Sequence, residues 1–414
     1  MQKLRSKMSK EKNNILLPIF LTIFIDMLGI GIIIPVIPAL FFESSSTFFG
    51  AEVSYERRSI LYGFLIAAYP LMQFFGAPIL GALSDRKGRK PMLILSLIGT
   101  MIGYFLFAIA LLNSNLWLLF FSRLLPGFTG GNISIVYSAI ADISDEADRT
   151  KNFGLVGMAF GLGFILGPAL GGLLADETIV SWFSASTPFW FTTAITLINI
   201  LLVQFLFPET LRAVEERKVS FFTGFRNLLL SFKTPNLRTI FIIALLLSLG
   251  FTFFTQFFAV GLIEKFDFTE KDIGLFYAWV GLWLVFAQGV VVRQLAKYFK
   301  PTQLLRFSTL ILGITVGAVI FPNQVTWEYW IAPFIAISQG VTIPNLLTTI
   351  SEQASASQQG QILGINQSMQ SVGAAIPPII GGYLTALNYN YPIIAAAVII
   401  LLAWLTFLLF FKKG

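Results

Sequence analysis

Twelve stretches of mostly apolar residues, each about 20 residues or longer, recur along this chain, and no other feature limits its folds as strongly. They fall near 15–40, 59–83, 91–112, 116–140, 152–175 and 188–207, then near 239–262, 272–296, 302–321, 329–350, 360–386 and 392–411. Each is long enough to cross the hydrocarbon of a bilayer as a helix. Lipid offers no partners to unpaired backbone groups, and the stretches are too long for barrel strands. The reading is therefore an all-α membrane protein with twelve transmembrane helices in two six-helix bundles. The longest polar segment separates the sixth stretch from the seventh. The expected division is an N-terminal bundle at 1–207, a cytoplasmic connector at 208–238 and a C-terminal bundle at 239–414.

The placement of charge tests that model. Only 12% of the 414 residues are charged and 56% are hydrophobic, whereas a soluble domain carries about 25% charged residues. With the N-terminus inside, the outer side holds only Arg57, Arg58, Lys265 and Lys271. Arg123 falls within the membrane, and every other Lys and Arg lies on the inner side. Such a bias sets both termini in the cytoplasm. It also explains the net charge of +7 without nucleic acid. The first apolar run is too long for a signal peptide, contains an acid and lacks a small-residue cleavage site.

Several functions are disfavoured by what the chain lacks. Zero cysteines exclude disulfides and thiol catalysis, and zero histidines remove the usual zinc ligand and the commonest general base. No GxxxxGK[ST] string is present for nucleotide hydrolysis. Neither an enzyme nor a metal or cofactor is expected. The two halves are weakly alike: SYERRSILYGF (54–64) and FTEKDIGLF (268–276) enter their second helices similarly, and Thr269 and Asp272 have capping-box spacing. Two such halves joined by a connector point to a transporter with a midplane site. A receptor, channel or membrane enzyme remains the bland alternative at this level.

Two motifs sharpen the reading. The string GALSDRKGRKP (81–91) ends the second crossing: Gly81 permits close helix approach and Gly88 a tight turn, while Asp85 supplies an anion and Arg86, Arg89 and Lys90 supply cations. A topology anchor would explain the basic residues but neither the acid nor the glycines. The fifth crossing carries GFILGPALGG (163–172), with Gly163, Gly167, Pro168 and Gly171 at spacings that let helix backbones touch and bend.

The first string resembles the loop signature of the major facilitator superfamily, and the second resembles the antiporter motif of its proton-coupled drug exporters. With DMLGIGIIIPVIP (26–38), YGFLIAAYPLMQFFGAPILG (62–81) and RLLPGFTGG (123–131), the chain is most similar to the tetracycline/proton antiporter branch. The resemblance is strong over the N-terminal half and weaker beyond it, clearest at 266–288 and 359–382. It implies a monomeric carrier in the inner membrane, exchanging protons for a small hydrophobic or amphiphilic substrate. A facilitator-fold carrier of a sugar, lipid or metabolite is the alternative. That branch places an acid where this chain has Gly103 and a histidine where it has Leu284, so tetracycline itself is not implied.

Asp26 and Arg123 are read as the only charges deep in the hydrocarbon, each costing about 2.5–3.5 kcal/mol at a helix centre. Burial disfavours a charged acid and a nearby cation favours it, so Asp26 is the candidate proton-coupling carboxyl and Arg123 its partner. A permanent ion pair holding two helices together is the structural alternative. The C-terminal half is read as offering amides instead. Candidate substrate contacts are Tyr69, Gln73, Tyr137, Phe254, Gln256, Trp279, Gln288, Gln339, Asn366 and Gln370, any of which equally suits helix packing. For gating, Asp85 is expected to face the start of the eleventh crossing near Gly360 and Gln361, Arg89 to pair with Asp142, and the fifth-crossing glycines to seal against the other half. The connector string SFFTGFRNLLLSF (220–232) reads either as an amphipathic surface helix or as a plain linker.

Overall fold

Proline, glycine and a few capping side chains decide where the apolar runs start, stop and break. The structure is a computed structural model that describes residues 2–43, 46, 48–50, 52–143, 146–211, 226, 229, 235–352 and 359–411. The amphipathic string expected in the connector lies outside these apart from Arg226 and Leu229. Among the described residues every regular element is helical: α1 Gln2–Phe42, α2 Tyr55–Lys87, α3 Arg89–Leu112, α4 Leu116–Thr129, α5 Asn132–Ile143, α6 Glu146–Ala175 and α7 Thr187–Leu206. The second set is α8 Pro235–Phe266, α9 Glu270–Phe286, α10 Pro301–Ala318, α11 Val325–Glu352, α12 Gln359–Leu387 and α13 Tyr391–Phe410. A π-helical turn, Ala287–Val291, and a last helical turn, Val292–Leu295, extend α9.

Local chemistry accounts for several ends. Asn115 accepts a hydrogen bond from the Leu118 amide at 3.0 Å and opens α4. Thr269 and Asp272 form the capping box their spacing predicts, at 3.3 and 3.1 Å, and open α9. Gly88 separates α2 from α3 at φ +106°, a conformation that a side chain rarely adopts.

Eight described helices are long and apolar enough to cross a membrane. The remaining crossings of this multi-pass fold use α4 with α5, α6, α10 and α12. The fourth crossing, expected as one helix over 116–140, is broken at Gly130 and Gly131 into α4 and α5.

The chain divides into two compact units. Unit 1 comprises Met1–Ile33 and Met72–Phe221. Its core packs Ile19, Ile23 and Met27 of α1 against Leu93 and Leu97 of α3 and Ile135 and Val136 of α5. Phe107 and Phe189 stack at 3.9 Å between centroids and clamp α3 to α7. Unit 2 comprises Ile34–Leu71 and Phe222–Gly414, so it includes the second part of α1 and the first part of α2. Tyr62 explains why that part of α2 belongs there. Its hydroxyl donates to the Gln256 carbonyl at 2.5 Å, and its ring meets Phe257 edge-on at 5.5 Å. At the next residue, the backbone of Gly63 lies so close to Gly382 of α12 that a Cβ on Gly63 would stand 2.9 Å from the Gly382 Cα.

Candidate functional site

The interruption of the fourth crossing leaves backbone groups that a continuous helix would pair internally, and lipid cannot pair them. Neighbouring side chains in unit 1 do so. Gln73 donates to the Gly130 carbonyl at 3.1 Å and Ser134 to the Gly131 carbonyl at 2.8 Å, while the Ser96 hydroxyl shares its one proton between the Thr129 carbonyl and the Asn132 side-chain oxygen. The break therefore looks built rather than incidental, and it places Asn132 at the start of α5.

Asn132 joins that break to the acid on α1. Its amide nitrogen donates to the Asp26 carboxyl at 2.5 Å, and its amide oxygen accepts from the Ser96 hydroxyl. Ser96, Asn132 and Asp26 thus form one hydrogen-bonded chain across α3, α5 and α1, with the amide nitrogen turned to the acid. The N-terminal end of α5, where free amides and the helix dipole favour negative charge, lies beside this carboxyl. Ser96 and Asn132 are buried, while Asp26 keeps part of its surface accessible.

The sequence reading expects Arg123 as the partner of Asp26. In the structure Asn132 takes that place, and no Asp26–Arg123 ion pair forms among the described residues. Arg123 is buried in α4. A lone asparagine after paired glycines carries no charge signal in the sequence; its position directly after Gly130 and Gly131 is the available cue.

The antiporter-like string lies against the same helix. A Cβ on Gly167 would stand 2.7 Å from the Gly31 Cα and 2.7 Å from the Leu28 carbonyl, and one on Gly163 would stand 2.9 Å from the Leu28 amide. Gly31 in turn meets Pro168. Gly163 and Gly167 are therefore spent on α1, within unit 1, where the sequence reading sends them to seal against the other half. Backbone contact at this range admits only glycine and locks α6 to the segment carrying Asp26.

At the α2–α3 turn, Arg89 gathers the charges. Its guanidinium pairs with Asp85, with Asp142 at 3.1 Å, and with the Ser84 hydroxyl at 2.7 Å. Burial disfavours a charge there, but two carboxylates compensate it. Glu209, just past α7, accepts from the Arg89 amide at 2.8 Å and the Lys90 amide at 3.2 Å, so it caps α3. Arg86 is exposed, and Gly81 has room beside Ser134. The expected approach of Asp85 to Gly360 and Gln361 involves side chains outside the described ones.

The candidate substrate contacts divide between the units. Gln73 and Tyr137 belong to unit 1, where Gln73 is engaged at the helix break and Tyr137 is exposed. Tyr69 and the other seven belong to unit 2. There Trp279 donates to the Tyr329 carbonyl at 3.1 Å, Gln370 accepts from Ser248 through its backbone, and Gln288 is exposed in the π-helical turn. Gln339 is half-buried in α11, and Asn366 is buried with its side-chain oxygen unpartnered. Phe254 lines a small internal cavity that Glu328 also lines.

Glu328 is a buried acid that the sequence reading does not single out. It stands one residue before the tenth apolar stretch, yet it is 1% exposed in the first turn of α11. Tertiary packing of α8 and α9 around a helix end, invisible to a hydropathy window, buries it.

The sequence profile of the Major Facilitator Superfamily matches residues 19–377. The chain belongs to the Major Facilitator Superfamily. This major facilitator is 32% identical over 368 residues to the class E tetracycline resistance protein of Escherichia coli, covering 87% of this chain and 85% of that one. It is 30% identical to multidrug resistance protein 1 of Bacillus subtilis (strain 168), covering 94% of each. Among solved structures, the human organic anion transporter MFSD10 superposes with a TM-score of 0.71 at 22% identity, over 95% of this chain and 99% of that one. A D-xylose–proton symporter superposes at 0.73 and 16% identity, over 97% and 98%. At those identities the superpositions show the fold alone. This major facilitator is a twelve-helix membrane carrier, not an enzyme.

Proposed function

We propose that this carrier is a proton-coupled exporter of small hydrophobic or amphiphilic compounds, working by alternating access. It sits in the inner membrane with both termini in the cytoplasm. The carrying observation is the hydrogen-bonded chain Ser96–Asn132–Asp26 at the break in the fourth crossing. An interrupted helix lined by satisfied polar groups is where carriers of this kind place coupling sites. Asp26 takes a proton from one side and gives it up to the other, and Asn132 holds the carboxyl in register as that exchange occurs. Arg123, buried on α4, adds positive potential to the same unit. Export is supported by the names of the relatives: tetracycline resistance and multidrug resistance proteins over nearly the whole chain. The candidate contacts, mostly aromatic and amide side chains, suit amphiphiles better than sugars, which need dense hydrogen bonding.

At the α2–α3 turn, the Arg89 cluster and the Glu209 cap act as the inner gate, held together in one state and released in the other. The test is transport in proteoliposomes across a panel of lipophilic antibiotics and dyes, with and without an imposed pH gradient. Wild-type protein is expected to accumulate substrate only with the gradient, Asp26→Asn to lose that uphill component, and Arg123→Ala to weaken it. Accumulation by Asp26→Asn equal to wild type removes Asp26 from the mechanism.

A further inference from the structure

Outside the Asp26 site, Glu328 is the buried titratable group that stands out. It begins α11, where an acid ordinarily meets the free amides of the first turn. Here it meets none: among the described residues its carboxyl accepts no hydrogen bond, and Oε2 is buried without a partner. The pocket is aromatic, walled by Phe254 and Phe258 of α8 and Phe276 and Tyr277 of α9, and roomy enough for about one water molecule. Tyr277 lines it, and its hydroxyl is likewise buried and without a hydrogen-bond partner. A second small cavity shares Glu328 and reaches Lys265 and Tyr389.

The titratable groups facing Glu328 are therefore few. From α8 comes Lys265, whose ammonium donates instead to the Ile320 carbonyl at 2.9 Å and forms no ion pair with Glu328. Tyr277 comes from α9, and Tyr389 from the turn before α13. Tyr329 follows on α11, its ring against Phe276. None supplies a counter-charge at contact distance. With no hydrogen-bond donor on it and the nearest ammonium turned to a carbonyl, an ionised carboxylate here is costly to bury.

We propose that Glu328 is a second proton-binding group, holding its proton while this aromatic pocket is shut and exchanging it through a pocket water and the Tyr277 hydroxyl when the pocket opens. The bound proton follows from unit 2 alone; its use in transport rests on the coupled-carrier reading above.

The test is infrared difference spectroscopy of the reconstituted wild-type protein, E328Q and D26N at neutral pH. A protonated-carboxyl C=O band is expected in wild type and D26N and lost in E328Q. In E328D, which keeps a carboxyl and guards against misfolding of the amide variant, the band should move rather than vanish. Identical bands in wild type and E328Q would show an ionised Glu328 and overturn the proposal, whatever transport shows. In parallel, the ratio of protons to substrate moved should fall in E328Q while D26N loses uphill transport altogether. A lost infrared band beside an unchanged ratio keeps the proton on Glu328 and overturns its exchange during transport.

Discussion

Asn132 donates to the Asp26 carboxyl across the gap between α5 and α1, and its own oxygen is held by Ser96. A neutral amide, fixed in orientation by a second residue, therefore positions the acid where charge complementarity alone would have nominated a guanidinium. An amide can serve a carboxyl in either protonation state, because it donates without demanding a charge.

Asn132→Leu should remove that support and leave Ser96 and Asp26 without their shared partner. Hydrogen bonds to charged groups are worth about 1.5–3 kcal/mol, so uphill transport should fall by roughly 10- to 100-fold. Substrate counterflow, which needs no proton gradient, should persist. Measuring both in the same vesicles checks this, and equal loss of both would point to misfolding rather than uncoupling.

Gly167→Val should disrupt α6 against α1, since the new Cβ would stand 2.7 Å from the backbone of Gly31. Overpacking of this kind costs about 1–3 kcal/mol. A lower melting point in detergent, with a smaller drop for Gly167→Ala, is the expected series. A variant melting with wild type would mean the helices part without cost.

Gly88→Ala should destabilise the α2–α3 turn by about 1–3 kcal/mol, because φ +106° is strained for any side chain. Its Cβ would also press on the Glu209 carboxyl carbon at 2.9 Å. Glu209→Gln, which keeps shape but removes the negative cap from the Arg89 and Lys90 amides, should cost about 0.3–1 kcal/mol. Thermal unfolding followed by tryptophan fluorescence should rank Gly88→Ala below Glu209→Gln, and the reverse order would place the weight on the cap instead of the turn.

Tyr62→Phe keeps the ring contacts with Phe41, Phe42 and Phe257 and deletes the hydroxyl bonded to the Gln256 carbonyl. The expected loss is about 0.5–1.5 kcal/mol. Tyr62→Ala also removes the buried ring and should cost about 3–5 kcal/mol. Calorimetry of the three proteins checks the order, and no difference between wild type and Tyr62→Phe would show that the bond adds nothing.

The crossings, the superfamily motifs and the Thr269–Asp272 cap were legible in the amino-acid order because each depends on neighbours a few positions away. Hydropathy over about 20 residues fixes a crossing, and a cap needs only its own turn. The pairing of Arg89 with Asp85 lies within one turn of the motif, whereas its pairing with Asp142, 53 residues on, was expected only from the family resemblance. The partner of Asp26 could not be expected from either. Asn132 is 106 residues away, and only the broken fourth crossing brings it to α1.

What the order of residues determined on its own was a chain of membrane helices carrying one deep acid and glycine-rich seams, because apolarity and backbone freedom are properties of short stretches. What only the folded chain decided was which acid meets an amide and which meets nothing. Glu328 stands at the edge of an apolar run and looks solvated there; α8 and α9 closing over it make it buried. Burial is a property of what packs around a side chain, and no local pattern records the neighbours that arrive from elsewhere in the chain.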